Sequence, residues 1–159
     1  MLTLERGWDR VSVKAVCARA QVGRSTFYAH FADKEEALVG GLEHVRDDLR
    51  RRPRKADFGF VRGLLAHAEA SRRLFRAVIG KRSGLAVQRR FRDVVVELMA
   101  GELEAQGVRQ GALPAMSRFL AGAFVELLFG WVDASHGHHV ADVEREFVRL
   151  ARPVVALGR

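Results

Sequence analysis

Ser12-Val13-Lys14-Ala15-Val16-Cys17-Ala18-Arg19-Ala20-Gln21-Val22-Gly23-Arg24-Ser25-Thr26-Phe27-Tyr28-Ala29-His30-Phe31 is the stretch on which the fold turns. Val13, Val16 and Cys17 fall on one face of a helix, and Ala20 and Val22 carry that face into a turn. Ser12 stands where a hydroxyl can accept from an unpaired amide of the first helical turn. Beyond Gly23, Phe27 and Phe31 lie four residues apart, so both rings can fold back onto the first helix. Arg24, Ser25, Thr26, Tyr28, Ala29 and His30 are then left for the solvent and the flanks. Two aromatic anchors inside and small, polar or basic side chains outside suit a short helix that lies in a major groove.

The same period of three and four runs outward through the chain, and no sustained alternation of the strand type interrupts it. Helices are predicted over Leu2–Arg6, Val13–Ala20, Arg24–Phe31, Lys34–Arg51, Phe58–Ala68, Ser71–Ile79, Leu85–Ala105, Pro114–Ala134 and Val140–Leu157. The fold class is therefore all-α. Asp33 is placed to cap the long fourth helix, and Glu35 and Glu36 suit the positive end of its dipole. The run Arg50-Arg51-Arg52-Pro53-Arg54-Lys55 suits its C-terminal end, and Pro53 stops it. Residues 50–57 read as a hinge. The expected division is an N-terminal three-helix helix-turn-helix module with its linker helix, residues 1–49, and a helical body, residues 50–159.

Charge narrows the function. The 159 residues carry 27 Lys+Arg against 19 Asp+Glu, a net +8. Residues 1–55 hold 12 basic and 8 acidic side chains, net +4 in about a third of the length. This density at the N-terminal end points to an anionic partner such as double-stranded DNA. A single cysteine, Cys17, excludes an internal disulfide framework and fits a reducing, cytoplasmic setting. The opening residues lack a signal-peptide pattern. The most apolar window, Phe119 to Val132, would form a helix of only about 21 Å, short of a hydrocarbon core of about 30 Å, so no membrane association is expected.

Catalytic and metal signals are weak. His136-Gly137-His138-His139 has ligand-type composition but no Cys or carboxylate at ligand spacing, so no metal is expected. Gly80-Lys81-Arg82-Ser83 lacks the upstream glycine and preceding strand of a phosphate loop. Cys17 lies on an apolar face and is read as packing rather than as a nucleophile paired with His30. No carboxylate pair suggests acid–base work. Neither enzyme activity nor a cofactor is expected.

The run from Trp8 to Leu42 resembles the DNA-binding domain of the TetR family of bacterial transcription regulators. Thr26-Phe27-Tyr28, His30-Phe31 and Lys34-Glu35 fall in the register of that family's motif, and Gly7-Trp8 resembles its Gly-aromatic turn. The resemblance implies base or groove contacts from Arg24, Ser25, Thr26, Ala29 and His30, with Arg24 bonding guanine and the methyls of Thr26 and Ala29 meeting thymine. It implies phosphate contacts from Ser12, Tyr28 and Lys34. Three departures stand out. Gln21 replaces the turn glycine, which implies a left-handed residue at a cost of about 1 kcal/mol. Gly23 replaces the serine cap of the recognition helix, a loss of a few tenths of a kcal/mol. The family's first helix begins well upstream of Met1, which implies a shortened or truncated helix here.

The last two predicted helices read as interaction surfaces. Apolar residues cover most of the circumference of Pro114–Ala134, and Val140, Val143, Phe147, Leu150, Val154 and Leu157 step by three and four. Phe124, Leu128, Phe147 and Val154 are the residues expected at a homodimer interface, and the resemblance implies a four-helix bundle there. It also implies an unknown small-molecule effector in the body, with His67, Phe75, Phe91, Leu98, Met99, Phe119 and Trp131 as lining residues. The expected function is a ligand-responsive repressor that binds an inverted-repeat operator as a homodimer. The other class that fits is a helical protein–protein interaction module without DNA-binding activity.

Overall fold

A computed structural model describes residues 11–51, 57–79, 85–134 and 139–159. The predicted first helix, Leu2–Arg6, lies outside the described residues, as do most of the histidine cluster at 136–139 and the segment 80–83. The described residues form helices and no strand. In chain order they are α1 (Val13–Ala20), α2 (Arg24–His30), α3 (Lys34–Arg51), α4 (Gly59–Ala70), α5 (Arg72–Ile79), α6 (Leu85–Ala105), α7 (Leu113–Asp133) and α8 (Val140–Gly158).

Local chemistry sets the ends of these helices. Ser12 Oγ accepts from the Ala15 amide at 3.2 Å and starts α1. Gln21 stops it in the left-handed region, φ 56 and ψ 36, and the Val22 amide then bonds the Cys17 carbonyl at 3.0 Å. Gly23 opens α2 with no side-chain cap, and a Cβ there would meet Ser25 Oγ at an ordinary 3.5 Å, so packing does not demand glycine. At the start of α3, Asp33 Oδ1 accepts from the Glu36 amide at 2.7 Å, and the Glu36 carboxylate accepts in turn from the Ala32 amide. Between α6 and α7, Gly107 takes φ 80 and lets the Val108 amide bond the Leu103 carbonyl at 3.0 Å.

One core serves the body. α7 is its axis, packed against α6 and α8, with α4 and α5 also touching it. Phe124 meets Phe60 at 6.4 Å and Phe147 at 5.3 Å between ring centroids, and Phe147 meets Phe58 at 5.5 Å. Leu64, Leu65, Val94, Val95, Met99, Leu103 and Leu128 fill the space around these rings. The few buried polar groups are paired. Ser117 donates to the Leu113 carbonyl at 2.6 Å, and Glu102 accepts from the Phe58 amide at 3.1 Å and from Gln106 at 2.9 Å. Phe58 itself sits at φ 58 with its ring fully buried, and the Glu102 bond holds that strained residue at the entry to α4.

α7 is long and apolar enough, by length and composition, to cross a membrane, because the helix extends to 21 residues rather than the 14-residue window of the sequence. Length therefore does not carry the argument against a bilayer. Burial does: Leu120, Ala121, Phe124, Val125, Leu128, Trp131 and Val132 are covered by the protein itself.

α3 joins the module to the body by lying along α6. Leu38 and Leu42 pack with Val87, and Leu49 enters the main core. Midway, Gly40 and Gly41 stand side by side within the continuous helix. A Cβ on Gly40 would come within 3.3 Å of the Phe31 ring, whereas one on Gly41 would meet nothing within 4 Å.

Two measurements test these local readings. Gln21→Gly should raise the unfolding free energy by about 0.5–1 kcal/mol, seen as a higher denaturant midpoint at unchanged slope, because glycine enters the left-handed region without the Cβ penalty. His67 is half-buried, and desolvation pushes its pKa below the ordinary 6.5. Below pH 6.5 the unfolded chain then takes up a proton that the folded chain resists, so stability is held above that pH and falls as pH drops through the folded value. Urea titrations between about pH 5 and 7.5 should show that loss, and His67→Gln should make it shallower.

Candidate nucleic-acid interface

α1 and α2 form the two arms of a helix-turn-helix. Val11, Cys17 and Phe27 are buried, and the Phe27 ring stands 5.5 Å from the half-buried Phe31 ring. This anchor fixes how α2 turns. With Phe27 inward, Arg24, Ser25, Thr26, Ala29 and His30 are all exposed. Tyr28 is 55% exposed, its ring held edge-on against Phe27 at 5.5 Å. The sequence reading placed these six residues on the outer surface, and the structure has them there together.

The electrostatics of this face are one-sided. Residues 11–32 contain Lys14, Arg19 and Arg24 and no carboxylate. Among the described residues, no ion pair joins any of those three cations. The exposed amides at the uncapped start of α2 add the positive end of that short helix to the same surface.

Two of the expected phosphate contacts are placed differently. Ser12 is exposed, but its hydroxyl is already engaged as the cap of α1, so it offers its remaining donor capacity. Lys34 is largely covered, its side chain only 17% exposed, with Nζ 3.9 Å from Glu35. It stands at the start of α3, against the module's edge, rather than as a free cation.

The body holds the expected effector residues in two places. His67, Phe75 and Phe91 form a file of edge-on rings at 6.1 and 5.8 Å, continued by Phe129 stacked on Phe91 at 6.1 Å. Leu98, Met99 and Trp131 are buried in the same core. Phe119 does not belong with them. It is 63% exposed on the opposite face of α7, because the apolar residues of that helix surround it and spacing alone did not single out the inner side.

A similar correction applies to the apolar faces of α7 and α8. Phe124, Leu128 and Phe147 are 0%, 0% and 1% exposed, so one chain already covers the side chains expected to meet a partner, and only Val154 is half-open. The exposed apolar residues of these helices are Phe119, Leu150 and Leu157, the last at 80%. Exposed Ala115, Gly122 and Ala123 lie along the Phe119 face of α7. α8 runs back along α7 so that Gly158 faces Met116, which puts Leu150 and Leu157 toward the Phe119 end.

Sequence reasoning missed two polar assemblies. Arg72 donates to the carbonyls of Trp131, Val132 and Ala134 and stacks 5.0 Å over the Trp131 ring, while Arg76 donates to Val132, Asp133 and Ala134. Together they cap the negative end of α7 and dock α5 on it. The second assembly joins α3 to α6: Arg46 and Arg90 each pair with both Glu43 and Glu97. Its intrahelical spacings, 43/46 and 90/97, were visible in the sequence, but the cross-helix pairing was not.

Among known proteins, residues 1–39 match the model of the family described as bacterial regulatory proteins, tetR family. The chain also shares its fold with the crystal structure of a TetR transcriptional regulator from Streptococcus agalactiae 2603V. That likeness has a TM-score of 0.66 at 24% identity, over 94% of this chain and 86% of the other. No curated protein matches the chain.

Proposed function

We propose that this chain, with the TetR-family DNA-binding module at its N-terminus, is a ligand-responsive transcriptional repressor that binds an inverted-repeat operator as a homodimer. The observation that carries the reading is the surface of α2: one aromatic anchor buried, six side chains turned outward, and no carboxylate between Val11 and Ala32. In this proposal residues 1–49 read DNA and residues 50–159 form the dimer and receive a small-molecule effector near the ring file of His67, Phe75 and Phe91. The protein acts in the cytoplasm, needs no cofactor and catalyses no reaction.

Roles within the module follow from placement. Arg24, at the start of α2, is the principal base reader, with Ser25, Thr26, Ala29 and His30 beside it in the groove. Tyr28, and the donor that Ser12 keeps free, position the module on the phosphates. Arg24→Ala should weaken binding to duplexes selected from a random pool by about 1–3 kcal/mol while leaving unselected duplex nearly unaffected. Tyr28→Phe keeps the ring on Phe27 and removes only the hydroxyl, so it should weaken both kinds of duplex alike. Equal losses for Arg24→Ala on both would move base reading to Thr26 and His30.

The dimer reading is supported by the apolar surface left open on α7 and α8 around Phe119, Leu150 and Leu157. The small residues Gly122 and Ala123 on the same side of α7 allow a second helix to approach closely. Sedimentation equilibrium at micromolar concentration should report twice the 17.8 kDa chain mass, and Phe119→Arg should return it to the single-chain value. A wild-type protein that sediments as one chain would remove this part of the proposal.

A further inference from the structure

The contact between α3 and α6 is built on a closed ring of four charges. Arg46 on α3 and Arg90 on α6 both bond Glu43 of α3 and Glu97 of α6, so within the ring each charge has one partner on its own helix and one across the gap, with Asp47 and Arg50 adding further contacts to Arg46 and Glu97. Arg46 Nη1 lies 3.3 Å from Glu97 Oε2, and Arg90 Nη1 lies 3.0 Å from Glu97 Oε1. All four side chains are partly buried, which shields them from salt more than an open surface pair. Nothing in general packing requires such a ring, since an apolar contact would hold two helices as well. What a ring of directed bonds adds is register.

The sequence of α3 offers that ring a second position. Glu43-x-x-Arg46 is followed, one turn on, by Asp47-x-x-Arg50. Arg50 Nη2 is already 3.6 Å from Glu97 Oε2, the oxygen that Arg46 holds. Asp47 is bonded by Arg46 Nε and Nη2 at 3.0 and 2.9 Å and lies one turn beyond Glu43, as Arg50 lies beyond Arg46. A full one-turn slide of α3 is opposed by its apolar seam, because Arg46 would then enter the place of Leu42 beside Val87. Glu97 Oε2 already stands between Arg46 and Arg50, so a tilt smaller than one turn would be enough to favour one arginine over the other.

We propose that Glu43, Arg46, Arg90 and Glu97, with Arg50 as the alternative partner, form a two-position latch that sets the tilt of α3 on α6 and so the half-site spacing the dimer accepts. This rests on the DNA-binding reading, in which α3 carries the recognition helix. The four residues are positioning residues and touch no DNA. An effector that favours one tilt would act through this ring, and its influence is bounded by its differential affinity for the two positions.

Two arms test the latch on the full chain. In the first, spin labels at Ala18→Cys on α1 and Ala66→Cys on α4, in a Cys17→Ala background diluted with unlabelled chain, report the distance between module and body. Glu97→Gln should broaden that distribution or shift it by about 1–2 Å. Arg50→Gln, which keeps the ring and removes the alternative, should narrow it. Arg149→Gln, which breaks a pair within α8, should leave it unchanged. Arg50 is half-exposed, so its variant keeps the test open if Glu97→Gln fails to fold. In the second arm, selected duplexes are rebuilt with half-sites one base pair closer or further apart. Wild type should discriminate among them, and Glu97→Gln should lose at least about fivefold of that discrimination. A merely structural role would weaken all spacings equally. Unchanged distance distributions in both variants would overturn the latch whether or not DNA is bound. A wild type that binds no duplex would overturn the DNA-binding reading and leave the distance arm decisive.

Discussion

α7 must bury one large apolar face along its whole length, and the body is arranged around that constraint. Leu120, Phe124, Val125, Leu128, Trp131 and Val132 share one broad face, which α4, α5, α6 and α8 cover. Its ends are closed by charge-assisted bonds rather than by more hydrophobic cover. Pro114 begins it where a missing amide costs nothing, and Arg72 and Arg76 satisfy its last carbonyls. α5 is thereby tied to the far end of α7. The side of α7 that remains open is the one lined by Phe119, Gly122 and Ala123.

The sequence was most legible where short-range chemistry decides. Ser12 and Asp33 mark helix starts through a hydroxyl and a carboxylate, and α1 and α3 begin where they place them, while Pro53 lies outside the described residues. Gln21 was readable as a left-handed residue from its place in the turn motif, and it has φ 56. The outward set on α2 followed from Phe27 and Phe31 alone. Legibility failed where a helix is apolar all round. Periodicity then names no inner face, which is why Phe124 and Phe119 exchanged their expected roles. It failed again for Phe58, whose left-handed backbone is held by a glutamate 44 residues away, and for the Arg46–Glu97 pair across 51 residues. Such partners meet only after α6 has found its place.

Reading and positioning are thus assigned to different physics in this chain. In the proposed function the reading surface is small, exposed and acid-free, and its specificity would depend on a few bonds at the start of α2. Its placement would depend on partly buried charges where α3 meets α6. On that proposal, substitutions at the α3–α6 contact would alter which DNA is accepted without touching the residues that meet it, and the two kinds of change would be separable by their response to sequence and to spacing.

The glycine pair in α3 gives this separation a mechanical meaning. Gly40 has a steric reason to be there, the Phe31 ring, but Gly41 has none. Two glycines inside an 18-residue helix weaken it by about 1 kcal/mol each relative to alanine. They fall between the capped turn that grips the module and the charge ring that grips the body, so the connecting rod is softest at its middle. A soft joint in series with the proposed latch would pass on only part of any displacement. Its stiffness is then a separate variable, adjustable at a single exposed residue, by which the coupling between module and body can be graded without altering either end.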